Sequence, residues 1–333
     1  MVNSASRILL SRTDSIGDVM LTLPMAAWLK EFYPDCKVLF LGRSYTKDII
    51  ESYEFVDEFY EWSEDMDVNA SAELLRRTQA DAIIHVFPRK VLAKAAKKAG
   101  IETRVGTSHR AYHLLSCNIR PNFTRKKSDL HEAQLNHALL RPFGLETLPS
   151  LVELNNVVGG FNPDQVDLPE ELQDALNSAT KKIILHPKSQ GSAREWPIEN
   201  YVELTKRLIS EGVTVLYTGT DKEGELFRNE LPRVDGLIDT TGQLSLKQLM
   251  ELIRNADGLV ACSTGPLHIA GFMEIKTVGL FSSRRPIHPG RWKALGKNVS
   301  ILVNDPSCDK CASGVECPCI ESIAVERVFN EIM

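Results

Sequence analysis

Short apolar runs alternate with longer amphipathic stretches along almost the whole chain, and this constrains the fold more than any other feature. Strand-like runs at 7–11, 37–41, 56–60 and 82–87 are interleaved with helix-like stretches at 19–32, 89–99 and 130–143. After residue 180 the pattern resumes, with strands expected at 182–185, 213–217, 237–238, 258–262 and 277–281. Helices are expected between them at 198–211, 222–231 and 246–255. Parallel strands joined by crossover helices satisfy such alternation. Between 155 and 180 the pattern dissolves into Gly159-Gly160, Asn162-Pro163 and Pro169, with a short helix near 170–177. The expected fold class is therefore α/β. A Rossmann-like domain at 1–160 and a linker at 161–180 precede a second Rossmann-like domain at 181–318. Residues 319–333 would form a C-terminal helix that packs back on the first domain. The 333 residues suffice for two such cores.

Composition removes several classes. Hydrophobic content of 43% and charged content of 25% are ordinary for a globular chain. No apolar run approaches the ~18 residues of a membrane-spanning helix, and the N-terminus lacks a secretion signal. A cytoplasmic protein is expected. Its net charge of -5 gives no reason to expect nucleic acid. Charge distribution says more. Residues 51–81 are acidic, with only Arg76 and Arg77 against them, whereas 85–127 is basic with Glu102 its only acid. A block so one-sided suggests an anionic partner, although solvated helix faces produce the same counts.

Three segments follow strand-like runs, where ligands bind in open parallel sheets. Ser263-Thr264-Gly265-Pro266 turns from the strand at 258–262 into a helix, with proline suited to its first turn. The free N–H groups and dipole of that terminus make an anion seat, and capping explains the same residues. His186 to Arg194 follows the first strand of the second half and carries Lys188, Ser189, Ser192 and Arg194 as phosphate donors. Residues 13–18 follow the first strand and offer Asp14 and Asp18 as bases, Asp18 also being a candidate helix cap. Asp65-Met-Asp67 has the spacing of a metal-binding acidic pair but lies in the acidic block and is discounted. Cys36, Cys117 and Cys262 sit alone and read as core thiols. Cys308, Cys311, Cys317 and Cys319 form C-x2-C-x5-C-x-C, which permits a structural metal, although the C-x-C half is tight.

Together these segments resemble the heptosyltransferase family, glycosyltransferase family 9. Arg7 to Pro24 is similar to its N-terminal motif, with Gly17-Asp18 and Pro24 in register. His186 to Pro197 resembles its central phosphate loop followed by Trp-Pro, and Thr264-Gly265-Pro266-Leu267-His268 its C-terminal signature. The resemblance implies a GT-B fold, with two Rossmann-like domains facing an inter-domain cleft. It implies an inverting, metal-independent transfer of heptose from ADP-heptose to a lipopolysaccharide core acceptor, with no cofactor. Asp18 would be the catalytic base. Lys188, Ser189, Ser192, Arg194, Ser263, Thr264, Gly265, Pro266 and His268 would hold the donor diphosphate. Thr218, Gly219, Glu223 and Leu244 would reach its nucleoside. The anionic glycolipid acceptor would suit the basic block, through Lys97, Lys98, Arg120, Lys126 and Lys127, with peripheral contact at the inner face of the membrane. Ser263 departs from the aspartate common in the family, which leaves the donor sugar open. The rival readings are a GT-B enzyme using another nucleotide sugar and an inactive nucleotide-sugar-binding protein.

Overall fold

A computed structural model of the protein describes residues 6–125, 128–191 and 193–333. Lys126, Lys127 and Ser192 lie outside the described residues. The chain divides into two compact units, with the boundary between Pro163 and Asp164.

The first unit is built on five parallel strands: β1 (Arg7–Ser11), β2 (Lys37–Gly42), β3 (Glu58–Glu61), β4 (Ala82–His85) and β5 (Thr103–Val105), in the order β3-β2-β1-β4-β5. Leu9 lies opposite Leu39 on one side and Ile83 on the other. These side chains point to one face and meet Leu74 and Leu75 of the helix Val68–Arg77 and Leu92, Ala95 and Ala96 of the helix Lys90–Ala99. Ile8, Leu10, Val38 and Phe40 alternate to the other face and are also fully buried. Coverage on both faces explains why the strands read as continuous apolar runs. The expected helix at 19–32 is two, Ile16–Met20 and Pro24–Phe32. Pro24 has no N–H for an intrahelical bond and opens the second helix instead. Gly100, at φ +83°, ends the Lys90–Ala99 helix in the left-handed conformation.

The second unit holds six parallel strands: β6 (Lys182–His186), β7 (Thr214–Tyr217), β8 (Leu237–Asp239), β9 (Gly258–Cys262), β10 (Lys276–Phe281) and β11 (Val299–Val303), in the order β11-β10-β9-β6-β7-β8. From Asp164 onward, the segment expected to be a linker is tied to this unit. Leu172 of the helix Glu170–Asn177 is buried, and Gln248 donates to the Asp167 carbonyl. The last helix, Val325–Ile332, packs within the second unit against the helix Ile198–Ser210. Its stripe of Val325, Val328 and Ile332 joins the core of Leu204, Leu208 and Ile183. Gly258 accommodates it: a Cβ there would sit 2.8 Å from Ile332 Cδ1. Among the described residues, no helix is long and apolar enough to cross a membrane.

Both strand orders reverse direction at one place. In the first sheet the chain builds outward from β1 to β2 and β3, then returns to place β4 on the other side of β1. In the second, β6 is flanked by β7 and β9 in the same way. The loops leaving such a switch point diverge and open a crevice beyond the carboxyl ends of the strands.

Candidate active site

At the first switch point β1 runs out at Ser11, and Arg12 follows it with only 3% exposure. A buried guanidinium is costly unless paired, and this one has three carboxylates. Nε donates to Asp14 Oδ1 at 2.6 Å, Nη2 donates to Asp18 Oδ1, and Nη1 lies 3.5 Å from Glu132 Oε1. Burial works against the charge of Arg12, but the three carboxylates outweigh it and raise its pKa above the ordinary value. Arg125 supports the cluster by donating to Glu132 at 2.9 Å and to Asn136 Oδ1 at 2.7 Å. Burial, with help from the charge of Asp18, pushes Asp14 up to about 6, against the opposing pull of Arg12. Asp18 keeps its side chain 18% exposed. Arg12 holds one of its carboxylate oxygens and Ser15 Oγ donates to the other. Asp18 is therefore oriented and still reachable.

The strand beside β1 completes this edge. Beyond β4, Arg89 donates to Thr13 Oγ1 at 2.9 Å, and its guanidinium lies 5.0 Å from the Phe87 ring centroid and 5.1 Å from that of Trp62. Arg89, Phe87 and Trp62, with Glu64, Pro88, Lys90 and Val91, line a pocket of about 410 Å³. Arg12, Glu132 and Asn136 are not among the residues the sequence points to, and Arg89 and Arg125 enter there only as members of the basic stretch 85–127. Arg12 stands inside the N-terminal motif, the signal that could have found it.

The basic block divides between two edges of the sheet. Arg120 belongs to the carboxyl edge, since Ile119 bridges Val105 at the end of β5 in parallel. Lys97 and Lys98 do not. The helix that carries them leaves the carboxyl end of β4 and returns to the amino edge, where Thr103 N–H donates to the Asp81 carbonyl. Lys97 donates to the Leu115 carbonyl at 2.9 Å and Lys98 to Asn69 Oδ1. They sit most of a helix length, about 12–14 Å, from the helix start beside Arg89. Arg120 Nη1 donates to the Cys117 carbonyl, two residues along from the carbonyl that Lys97 holds. Asp67 is a helix cap, accepting from Asn69 N–H and Ala70 N–H at 2.8 Å each.

In the second unit, β6 and β9 pair with His186 opposite Ala261, so their following loops leave the sheet side by side. The loop after β6 turns through left-handed Gln190 and Gly191. Glu195, unremarked in the sequence, organises it. Its carboxylate accepts from Ser189 N–H at 2.8 Å, from Ser189 Oγ at 2.9 Å and from Lys188 Nζ at 3.0 Å. Arg194 donates to the Cys317 carbonyl at 2.6 Å. Trp196 is buried and donates to the Ile323 carbonyl at 3.0 Å, a packing role.

After β9 the half-buried Ser263 leads to Thr264, the N-cap of the helix Gly265–Phe272, with Pro266 in the first turn and His268 buried behind it. Thr264 makes no side-chain cap, and its Oγ1 is buried without a hydrogen-bond partner among the described residues. A buried hydroxyl normally has one. Here it lies at the positive end of a helix dipole, where an anion oxygen would supply it. After β7, Thr218 Oγ1 lies 3.0 Å from His186 Nδ1, and burial lowers the His186 pKa. Gly219 follows, and the buried Glu223 closes a capping box with Thr220, accepting from its N–H at 2.7 Å. Leu244, half-buried, precedes the helix Leu246–Arg254 beyond β8. The loops after four adjacent strands thus share one edge.

Comparison with known proteins agrees with this arrangement. The model of the family described as Glycosyltransferase family 9 (heptosyltransferase) matches residues 69–318. A Haemophilus influenzae protein, a glycosyltransferase by name only, is 30% identical over 307 residues, covering 87% of this chain and 86% of its own. A glycosyl transferase family 9 structure from Veillonella parvula superposes with a TM-score of 0.79 at 17% identity, over 99% of this chain and 97% of that one. The Escherichia coli ADP-heptose lps heptosyltransferase II gives 0.74 at 19% identity, over 98% and 97%. At such identities these two likenesses speak for the fold.

Proposed function

The chain belongs to glycosyltransferase family 9, and from that premise we propose that it transfers heptose from ADP-heptose to an anionic lipopolysaccharide-core acceptor, with inversion and without a catalytic metal. The observation that carries the reading is Asp18, held by Arg12 and Ser15 at the first switch point with its carboxylate still reachable. In a single displacement the acceptor hydroxyl oxygen bonds to the anomeric carbon as the sugar–phosphate bond breaks. The hydroxyl proton passes to Asp18, and the electron pair leaves with the nucleoside diphosphate. Charge on that leaving group is met by Lys188, Arg194 and the N-terminus of the Gly265–Phe272 helix, a role that preorganised donors fill well. Arg89, Arg120 and the pocket beside Trp62 and Phe87 would take the acceptor's phosphates and sugar. Such an enzyme would meet its glycolipid at the inner face of the cytoplasmic membrane.

Purified protein given a panel of nucleotide sugars and a lipopolysaccharide-core acceptor extract tests this by product mass. ADP-heptose should turn over, and Asp18→Asn should lose at least ~100-fold in kcat while ADP binding stays near wild type. Wild-type turnover by the variant would remove Asp18 from the mechanism. A different preferred donor would remove heptose from it.

A further inference from the structure

We propose that Cys308, Cys311, Cys317 and Cys319 form a four-thiolate site for one zinc or iron ion, and that this ion fastens the loop carrying Arg194. The first clause stands on the cluster alone. The second rests on the donor-binding reading of that loop.

The local fold removes the difficulty seen in the spacing. Cys308 is the N-cap of the helix Asp309–Ser313 and Cys311 lies in its first turns. Gly314, at φ +76°, reverses the chain, with Gly314 N–H donating to the Cys311 carbonyl and Val315 N–H to the Lys310 carbonyl. The reversal brings Cys317 and Cys319 back onto the first pair. All four Sγ atoms lie within 4.8 Å of one another, and those of Cys311 and Cys317 are 3.0 Å apart. A metal–sulfur distance of ~2.3 Å in a tetrahedron requires sulfur–sulfur edges of about 3.8 Å, inside that range. A disulfide requires about 2.05 Å, and all four thiols are free. Cys311, Cys317 and Cys319 are buried, and this small cluster contains cysteines only, so it adds little as a hydrophobic core. Four sulfur ligands in a closed tetrahedron select zinc or iron among the common ions.

The surroundings fit a charged centre. A divalent ion with four thiolates carries two net negative charges, and Arg194 Nη1 lies 3.9 Å from Cys317 Sγ as well as bonding its carbonyl. Such neighbours orient ligands and tune the centre. The chain after the cluster then seats on the segment after β6, through Trp196 to the Ile323 carbonyl and Asn200 Nδ2 to the Glu321 carbonyl at 3.3 Å. An ion holding residues 308–319 would thereby fix the partner surface that orients Arg194.

The test uses the full chain purified from cells without chelators. Elemental analysis should find about one zinc or iron per chain, and mercurial titration should release it as thiols are blocked. Visible thiolate-to-iron absorption distinguishes iron from colourless zinc. Cys308→Ala should lose the ion, whereas Cys308→His, which keeps a ligand atom, should retain it, with circular dichroism confirming that both fold. Less than about a tenth of an ion per chain after anaerobic reconstitution with either metal overturns the site. Removing the ion should also weaken ADP binding by about tenfold. Equal ADP affinity with and without it overturns the fastening of Arg194. Metal content and ADP binding are both read without sugar transfer, so failure of the proposed reaction is a separate result.

Discussion

At the scale of single residues, Arg12 decides how the first unit's acids behave. It is shared by Asp14, Asp18 and Glu132, and burial beside it raises the pKa of Asp14. Its pKa of about 6 lies above that of an unfolded aspartate near 3.8. The folded protein then binds this proton more tightly than the unfolded chain does, so ionising Asp14 removes stability as pH rises from about 4 to about 6. The stability of wild type minus that of Asp14→Asn should therefore fall across this window, by on the order of 3 kcal/mol, and level off above it. His85 and His137, which burial pushes down to about 3 and about 4, titrate in both proteins and cancel in the difference. Denaturant melts at pH 4.5, 5.5, 6.5 and 7.5 measure it. A difference that rises with pH would mean that Asp14 is stabilised as an anion.

At the scale of elements, the Gly265–Phe272 helix carries the clearest signal for a ligand. Thr264→Val keeps the shape of its N-cap and removes a hydroxyl that caps nothing and has no partner among the described residues. The free protein should hold or gain thermal stability, since an unsatisfied buried hydroxyl is lost. ADP should bind about tenfold or more weakly, the worth of one hydrogen bond to a charged group. Calorimetric titration reads this, and unchanged ADP affinity would remove Thr264 from the donor site. This turn was legible in the sequence because strand, hydroxyls, glycine and proline are contiguous there. Much else was not. Val68–Arg77 is a helix that its charged surroundings concealed, and the three residues of β5 are too few to show a period. The Arg12 cluster joins residues 124 positions apart, and no local pattern announces such a contact. The role of Glu195 consists of bonds to Lys188 and Ser189 that only a folded loop makes, so no sequence signal marks it.

At the scale of the molecule, charge counted along the sequence and charge placed on the fold give different expectations. The basic stretch looked like one surface, yet its helix carries Lys97 and Lys98 to the amino edge while Arg120 stays at the carboxyl edge. Reversing Lys97 and Lys98 together to glutamate should leave the acceptor KM within about twofold. Arg120→Glu should raise it about tenfold or more, and added salt should narrow that gap, since exposed charges are screened over ~8–10 Å. Steady-state kinetics over a salt series separate the two sites. A large effect from the lysine pair would show that the acceptor reaches the amino edge after all.

Because both sheets keep their candidate chemistry at the carboxyl edge, the opposite edge is free for engineering. Gly100 and Gly212 each close a helix just before a strand, in left-handed turns with open space where a side chain would project. A reporter peptide, a surface-attachment handle or a fused domain spliced into either turn would lie a full strand length from the loops that carry Asp18 or Thr264.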